Sequence, residues 1–344
     1  MWKRDGALYA LYSGSHPCLS MAELLSFFNE EEILLELTQF VALRTSPERA
    51  VMAQRLSATI KEVGELLCIG ELERREDVGS LLEECLREPP TIGVTLSLRT
   101  LGSASAIPTG EEILREAARF IEGRWGVRVR LGGRGRAGAI RIALVDGLMA
   151  LGRVLSSESK GALLLENPHE LPCYRPGALN AWFARLLFNL ASRNQVSKFA
   201  DFFCGVGTIA RQAIGASLYV LCGELRRDYA ECAKLNAGSE REANCDVVRW
   251  DARSPPLRGE AIEAVASDLP YGRSTRGPNC EEELARRFIE LLPLLLKRGG
   301  RAVIVTPMEW RLPRRGEGGL ALWRRCPMYV HSALTRQITV YERE

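Results

Sequence analysis

The sequence has few lysines and histidines, and its cysteines are not arranged to bind a metal. Only six of its 46 basic residues are lysine, so 40 are arginine, and only three residues are histidine. The ten cysteines include no Cys-x-x-Cys pair and no cluster with histidine, which argues against a zinc site. We therefore expect no bound metal, and we expect buried reduced thiols unless the source is a hyperthermophile, whose intracellular proteins can carry disulfides.

Long apolar runs are also missing. The longest, such as residues 291–296, are far too short to cross a bilayer. The first five residues lead only into a short apolar segment, unlike a secretory signal peptide. The sequence thus predicts a cytoplasmic protein without a membrane partner. Because the net charge is only +3, any surface that binds nucleic acid must be a local patch.

The order of predicted strands and helices divides the chain into domains. Residues 1–72 follow the order strand, helix, strand, strand, helix, strand of a ferredoxin-like α+β domain. Residues 73–155 predict a second α+β unit, and residues 156–172 predict a linker. From residue 173 to residue 344 strands alternate with helices, which predicts an α/β domain with a parallel sheet covered on both faces.

One helix of the first domain has a recognisable start. Ser20 and Glu23 have the spacing of a capping box, in which the serine and glutamate side chains satisfy two free backbone N–H groups. The pattern predicts a helix that begins at Ser20 and continues to Phe28.

The second unit contains a run of arginines without acidic residues. The segment 132–138 is rich in glycine, which lets the backbone approach a ligand closely. Arginines on such a segment can contact successive phosphates, although a run of charge is more often a solvated face. The candidate RNA-binding residues are Arg124, Arg128, Arg130, Arg134, Arg136 and Arg141.

A glycine-rich turn follows the first predicted strand of the C-terminal domain. In the segment Asp201–Ile209, Gly205 and Gly207 permit a tight turn against a ligand. Such a turn serves NAD, FAD or S-adenosylmethionine. Because the segment lacks the third glycine of G-x-G-x-x-G and the lysine of a P-loop, the turn alone leaves the cofactor open.

Acidic residues end successive predicted strands of this domain. Glu224 follows Asp201 by 23 residues, where an acid can accept both ribose hydroxyls of an adenosine cofactor. Asp251 is placed to accept from an adenine amino group, and Asp268 ends the fourth strand. Each acid alone could be a helix cap. Together they are expected along the carboxyl edge of the sheet, where ligands bind.

The segment Ser267–Thr275 carries the reactive chemistry. The Asp268 carboxylate and the Leu269 carbonyl can both accept hydrogen bonds from one exocyclic amino group. Pro270 stiffens the loop and has no competing N–H, and Tyr271 offers a face on which a base can stack. The alternative is an ordinary turn, because Asp, Pro and Gly favour turns.

These segments resemble a known family. Residues 201–208 resemble the D-P-F-C-G-S-G-T motif of S-adenosylmethionine-dependent methyltransferases, with Phe202 at the usual proline. Residues 267–271 resemble the D/N-P-P-Y motif of enzymes that methylate exocyclic amino groups, with Leu269 at the first proline. The run 268–275, and the chain as a whole, resemble the archaeal tRNA guanine-N2 methyltransferases that carry a THUMP domain.

The resemblance implies a Rossmann-like class I methyltransferase domain over residues 173–344, a ferredoxin-like domain over 1–72 and a THUMP RNA-binding domain over 73–155. It implies S-adenosylmethionine as the cofactor and tRNA as the substrate, with a small activator subunit as a further candidate partner. We expect a monomer. Leucine at position 269 is more typical of relatives that act on guanosine six, whereas the segment 273–275 favours guanosine ten, so both targets stay open.

The implied site residues form two sets. The catalytic residues are Asp268, Leu269, Pro270 and Tyr271. The cofactor-binding residues are Pro176, Asp201, Phe203, Cys204, Gly205, Gly207, Thr208, Glu224, Leu225, Asp251, Ala252 and Asp268.

Three other functions remain open. The first is the same chemistry at adenine N6 or cytosine N4 of DNA, against which the two N-terminal domains argue. The second is a nicotinamide-dependent dehydrogenase, for which no catalytic lysine or tyrosine pairing is evident. The third is an RNA-binding protein that has lost catalysis, although acids are retained at all four strand ends.

Overall fold

Two units make up the fold, Met1–Ser159 and Lys160–Glu344. A computed structural model of the protein describes residues 6–72, 77–86, 94–102, 109–132, 137–157, 163, 166–193, 196–216, 218–238, 244–271, 279–313, 315–316 and 319–344. None of the helices in these ranges is long and apolar enough to cross a membrane.

The N-terminal unit is built on one eight-stranded sheet. Its elements are, in order, β1 (Leu8–Tyr12), α1 (Pro17–Phe27), β2 (Ile33–Leu37), β3 (Phe40–Leu43), α2 (Pro47–Leu56), β4 (Ile60–Glu71), α3 (Asp77–Cys85), β5 (Val94–Leu101), α4 (Gly110–Trp125), β6 (Val129–Leu131), β7 (Ile140–Val145) and β8 (Leu148–Ser156). The strand order is β2-β3-β1-β4-β8-β7-β5-β6. Among the described residues of this sheet, the parallel pairs are β5 with β6 and β5 with β7.

The long strand β4 joins the two halves of this sheet. One of its edges pairs with β1 and the other with β8, both antiparallel. The predicted order of elements over residues 1–72 is found, but the sheet continues from there into the strands of residues 73–155. The division of this unit into a ferredoxin-like domain and a THUMP domain therefore stays a prediction.

The start of α1 differs from the prediction. The helix begins at Pro17, because proline suits a first turn, in which backbone N–H groups have no partner in the helix. Ser20 lies inside the helix and donates to a preceding backbone carbonyl at 2.8 Å. Glu23 is fully buried and accepts from the Ser57 hydroxyl at 2.6 Å and from the Ala58 N–H at 2.8 Å. Glu23 thus ties α1 to the turn before β4 instead of capping its own helix.

A buried ion pair crosses the middle of the sheet. The side chains of Arg141 on β7 and Glu62 on β4 are 2% and 4% exposed, and the guanidinium binds both carboxylate oxygens. Tyr9 on β1 donates its hydroxyl to the same carboxylate at 2.8 Å, and burial raises the pKa of Tyr9 well above its ordinary value. The prediction that Arg141 contacts RNA is therefore wrong, because this side chain is enclosed in the sheet.

The other candidate RNA-binding arginines lie elsewhere. Arg128 and Arg130 are exposed, immediately before β6 and within it. Arg124, in the last turn of α4, forms an ion pair with α3. Arg134 and Arg136 lie outside the described residues. Contact with RNA stays a prediction for these five arginines.

The C-terminal unit has a doubly wound sheet. Its elements are, in order, α5 (Ala181–Ser192), β9 (Lys198–Asp201), α6 (Thr208–Ile214), β10 (Tyr219–Glu224), α7 (Arg227–Ala237), β11 (Cys245–Arg249), β12 (Ile262–Asp268), α8 (Asn279–Leu295), β13 (Leu296–Pro307), β14 (Arg315–Gly316), β15 (Leu320–His331) and β16 (Leu334–Arg343). The strand order is β11-β10-β9-β12-β13-β16-β15-β14. Strands β9 to β13 are parallel, and β14 to β16 add antiparallel neighbours.

The direction of winding reverses between β9 and β12, which are neighbours in the sheet. Asp201, Glu224 and Asp268 end β9, β10 and β12, and Asp251 follows β11 by two residues. Because these strands are parallel, the four acids lie along one edge of the sheet. Ligands of doubly wound sheets bind at this edge, outside the point of reversal.

The core beneath this edge explains why phenylalanine occupies a position where proline is usual in the first motif. Phe202 is 1% exposed, and its ring lies 5.2 Å from that of Trp250 and 5.0 Å from that of Phe288. These aromatic contacts anchor the turn after β9 to the residue that follows β11 and to α8. The residue adds buried apolar area that a proline could not supply.

Some of the cysteines form disulfides. The disulfides of the described residues include the pairs Cys68–Cys85, Cys173–Cys232 and Cys204–Cys222. Cys245 is a buried free thiol. Of the two alternatives that the sequence leaves open, reduced thiols or disulfides, these six residues follow the second. The two cysteines of each pair lie 17 to 59 residues apart in the chain, so spacing alone could not pair them.

Replacement of Arg141 by alanine is expected to destabilise the protein by about 3–5 kcal/mol, because the Glu62 carboxylate then stays buried without its partner. The measurement is the free energy of unfolding of the full chain in urea. The matched control is Arg153→Ala, since Arg153 is 52% exposed and pairs with Glu65 at 3.2 Å. That variant should change by less than about 1 kcal/mol. Equal losses in both variants would contradict the structural role of Arg141.

Candidate active site

A cavity of about 940 Å³ lies at the edge of the C-terminal sheet. This volume is in the range of small-molecule sites in proteins. All but one of the predicted catalytic and cofactor-binding residues line it: Pro176, Asp201, Phe203, Cys204, Gly205, Thr208, Glu224, Leu225, Asp251, Ala252, Asp268, Leu269, Pro270 and Tyr271. The exception, Gly207, is the residue immediately before α6.

The glycine-rich turn between β9 and α6 needs its glycines. Gly205 has φ of 56° and Gly207 has φ of 87°, both in the left-handed region that side chains disfavour. The turn is held against β10, because the Cys204 N–H donates to the carbonyl of Gly223 at 3.0 Å and Cys204 is bonded to Cys222. The cavity wall at this turn is therefore a fixed backbone surface.

Glu224 presents a carboxylate whose orientation is set by the backbone. One oxygen accepts from the Gly205 N–H at 2.9 Å, and the other accepts from the Arg226 N–H at 2.8 Å. Each carboxylate oxygen has a second lone pair. Glu224 can therefore accept two further donors, as a pair of ribose hydroxyls requires.

Asp251 already has a charged partner that sequence reasoning missed. The Arg253 Nε lies 3.0 Å from each oxygen of the Asp251 carboxylate. Hydrogen bonding to Arg253 lowers the pKa of Asp251, so this group is an anion at neutral pH. Arg253 also lines the cavity. A donor that binds Asp251 must therefore share the carboxylate with this guanidinium.

Asp201 links the two strands at the point of reversal. It is 1% exposed and accepts from the Ser267 hydroxyl at 2.8 Å and from the Phe203 N–H at 3.2 Å. The Ser267 hydroxyl in turn accepts from the Phe202 N–H at 2.9 Å. Burial raises the pKa of Asp201 to about 7, although these hydrogen bonds oppose it. Sequence reasoning did not assign Ser267 a role.

Asp268 has one occupied oxygen and one that has no partner. Its Oδ2 lies 3.4 Å from the Tyr271 hydroxyl and 3.7 Å from the Arg336 guanidinium. Its Oδ1 is buried and accepts no hydrogen bond from any described residue. Burial raises the pKa of Asp268 to about 6, while Arg336 and Tyr271 oppose the rise. A buried acceptor without a donor is unfavourable, so Oδ1 is a ready acceptor for a ligand donor.

The surroundings of Leu269 explain why leucine replaces the first proline of the second motif. Its side chain is 2% exposed in the core, and its N–H donates to the Val305 carbonyl at 3.1 Å. Proline has no N–H and could not make this bond. The pairing of β12 with β13 thus extends one residue beyond Asp268.

Arg336 is a second charged residue of the cavity that sequence reasoning missed. It lies on β16, 65 residues from Tyr271, and donates to the Tyr271 hydroxyl at 2.6 Å. No spacing in the sequence connects the two. Residues 273–275, which favoured guanosine ten, lie outside the described residues. The part of the chain that is described holds no cluster of His, Cys, Asp and Glu suited to a metal.

Residues 168–337 match the family model "RMKL-like, methyltransferase domain" (UPF0020). The C-terminal unit carries a methyltransferase domain. The chain is 30% identical over 206 residues to the tRNA (guanine(10)-N2)-dimethyltransferase of Methanothermobacter thermautotrophicus, a match that covers 59% of this chain and 61% of that protein. It is 31% identical over 174 residues to the enzyme of the same name from Pyrococcus abyssi, covering 50% and 52%. The matched region thus spans little more than half the length of these relatives.

Solved structures share the fold of this chain. TrmN from Thermus thermophilus superposes with a TM-score of 0.58 at 21% identity, over 98% of this chain and 99% of that chain. SMU.472 complexed with SAH superposes with a TM-score of 0.53 at 12% identity, over 99% of each chain. The strand order and these neighbours confirm the predicted class I methyltransferase fold of the C-terminal unit.

Asp201→Asn is expected to remove a pH dependence of stability. The pKa of Asp201 rises from 3.8 to about 7 on folding, so the folded protein holds a proton that the unfolded chain releases. Stability from this group is therefore present at low pH and lost as the pH rises toward about 7. The free energy of unfolding of the variant, relative to wild type, should increase between about pH 4 and about pH 7 and level off at higher pH. A difference that does not vary with pH would contradict the raised pKa.

Proposed function

We propose that the protein is an S-adenosylmethionine-dependent tRNA guanosine N2-methyltransferase. The observation that carries the proposal is the buried Asp268 Oδ1, which has no donor among the described residues and lies in the cavity of a methyltransferase domain. An exocyclic amino group has two N–H donors. One can bind Asp268 Oδ1, and the other can bind the carbonyl of Leu269, the next residue.

The cavity fits the cofactor. Glu224, with its carboxylate fixed by two backbone N–H groups, would hold the ribose hydroxyls. Asp251 and Ala252 would border the adenine, and the turn at Gly205 would border the methionine part. The SAH in the complex of SMU.472, which has the same fold, supports this assignment.

The choice of tRNA rests on the named relatives. Both are tRNA (guanine(10)-N2)-dimethyltransferases, which supports a guanosine of tRNA and, within it, position ten. The exposed Arg128 and Arg130 add positive charge on the N-terminal unit, which suits a phosphate backbone. We further propose that the chain acts as a monomer. Assay of the purified chain alone tests whether it also needs an activator subunit.

The chemistry at the base is mainly positioning. The lone pair of guanine N2 is delocalised into the ring and is therefore a poor nucleophile. Hydrogen bonds to Asp268 and to the Leu269 carbonyl would localise it and direct it in line for transfer. S-adenosylmethionine supplies an electrophilic methyl group on a sulfonium. Asp268, which would be hydrogen-bonded to this amino group, would also accept the proton that the group releases on methylation.

The base must leave the stack to reach this cavity. A guanosine that is paired and stacked in folded tRNA cannot place its amino group inside a cavity. The base must therefore be flipped out of the helix. Tyr271 lines the cavity and is half-buried, with an aromatic face on which the base can stack.

Mass mapping of tRNA tests the proposed function. A tRNA transcript is incubated with the full chain and methyl donor, digested and analysed by mass spectrometry. One or two methyl groups are expected on the fragment with guanosine ten. A matched tRNA with inosine at position ten lacks the N2 amino group and should stay unmodified there. Methylation of an adenosine or cytidine, or of duplex DNA instead of tRNA, would overturn the proposal.

Asp268→Ala is expected to slow methyl transfer by at least about 100-fold, because the amino group loses its charged acceptor. Single-turnover rates at saturating tRNA and cofactor measure the effect, and the affinity for each should stay within about twofold. The matched control is Glu290→Ala, an exposed acid on α8, which should transfer methyl groups at the wild-type rate. Wild-type rates in Asp268→Ala would contradict the assignment.

Glu224→Ala is expected to weaken binding of S-adenosylmethionine by about 1.5–3 kcal/mol, the value of a hydrogen bond to a charged group. Isothermal titration of the full chain with the cofactor and with its demethylated product measures the loss. Glu231→Ala, an exposed acid on α7, is the matched control and should bind normally. If Glu224→Ala also binds normally while remaining folded, the ribose assignment is wrong.

A further inference from the structure

Arg336 contacts the segment Asp268–Tyr271 from a strand that lies far from it in the sequence. It lies on β16 opposite Pro307 of β13, while Asp268 lies at the end of β12 opposite Val305 of the same strand. Strand β13 therefore separates the strands that carry Arg336 and Asp268. The arginine side chain spans this strand at the carboxyl edge of the sheet, where the cavity lies.

Three polar groups meet there. The Arg336 Nε donates to the Tyr271 hydroxyl at 2.6 Å, and its Nη2 lies 3.7 Å from Asp268 Oδ2. The Tyr271 hydroxyl lies 3.4 Å from the same oxygen and is oriented to donate to it. Each group thus contacts the other two, and the one remaining carboxylate oxygen, Asp268 Oδ1, is left without a partner among the described residues.

Aromatic contacts hold the guanidinium itself in place. Its carbon lies 5.2 Å from the centre of the Phe183 ring and 5.9 Å from that of Tyr271, both within range of cation–π attraction. The Arg336 side chain is 18% exposed, and Phe183 on α5 is 1% exposed. Because the arginine is already ordered, it can hold its partners without first losing much conformational freedom.

We propose that Arg336 is a positioning residue for methyl transfer, which fixes the Tyr271 hydroxyl and Asp268 Oδ2 so that Oδ1 alone is left to accept the amino group of the substrate. This inference rests on the proposed function and deepens it. Arg336 need not touch the substrate, because it acts through Asp268 and Tyr271. Its loss should therefore lower the rate of transfer without weakening cofactor binding.

The charge of Arg336 adds a second effect that a purely structural residue would not have. The charged and titratable groups that act on Asp268 are Tyr271 from its own loop, Arg336 from β16 and the buried Asp201 from β9. Of these only Arg336 is a cation. Its removal should raise the pKa of Asp268 above about 6, so that less of the carboxylate is ionised at neutral pH.

The first test compares Arg336→Gln with wild type across the pH range. Single-turnover transfer at saturating cofactor and tRNA should slow by about tenfold or more at neutral pH. The acid limb of the pH–rate profile should move to higher pH, while cofactor affinity stays unchanged. Arg298→Gln removes an exposed arginine near the start of β13 and should leave both the rate and the profile as in wild type. A slower Arg336→Gln with an unmoved acid limb would overturn the inference.

Two further variants separate charge from geometry. Arg336→Lys keeps the positive charge, so the acid limb of its pH–rate profile should lie close to that of wild type. Lysine lacks the planar guanidinium that contacts both partners, so the rate of transfer should lie between those of Arg336→Gln and wild type. Tyr271→Phe removes the hydroxyl through which Arg336 acts. The double variant with Arg336→Gln should slow methyl transfer by a smaller factor than the product of the two single-variant factors, because both single variants break the same contact. Fully multiplicative losses would contradict a shared contact.

One measurement is independent of activity. The full chain is labelled with [13C]aspartate, and the Asp268 carboxyl signal is assigned by its absence in Asp268→Asn. Its pKa should be higher in Arg336→Gln than in wild type, and an equal pKa overturns the inference even if tRNA is methylated. If wild type methylates no tRNA but the pKa shifts as expected, the proposed function fails and the contact of Arg336 with Asp268 stands.

Discussion

The hydrogen bond from Ser267 to Asp201 joins the two strands at which the sheet reverses its winding. Asp201 ends β9 and precedes the glycine-rich turn, while Ser267 precedes Asp268 at the end of β12. The Ser267 hydroxyl also accepts a hydrogen bond from the N–H of Phe202, the first residue after β9. This buried contact therefore joins the two halves of the site, one for a cofactor and one for a reacting group, in addition to the pairing of β9 with β12.

Buried charge serves different purposes in the two units. In the N-terminal sheet Arg141 binds both oxygens of Glu62, so the pair is satisfied and acts on the structure alone. In the cavity Arg336 approaches only one oxygen of Asp268 and leaves the other without a partner among the described residues. A buried acceptor without a protein donor is unfavourable by itself. It becomes favourable when a ligand supplies the missing donor, which is how a binding site differs from a structural ion pair.

The departures from the family motifs follow from packing. Phe202 fills the space between Trp250 and Phe288, and Leu269 extends the pairing of β12 with β13 through an N–H that proline lacks. Both side chains face the core. The positions that face the cavity, Asp268 and Tyr271, keep the residues that the chemistry needs. The substitutions therefore alter how the loop is supported and leave its reactive groups in place.

The sequence alone determined the acids at the strand ends, the glycine turn and the Asp268–Tyr271 loop, because these depend on local periodicity and on motifs of adjacent residues. Carboxyl ends of parallel strands must share an edge, so their convergence could be predicted before the fold was seen. Only the tertiary structure decided the roles of Arg141, Arg336 and Ser267. An arginine has the same chemistry in a solvated run as in a sheet core, and its role depends on partners tens of residues away. The disulfide pairs could not be predicted for the same reason, because cysteine pairing depends on distances that only the folded chain sets.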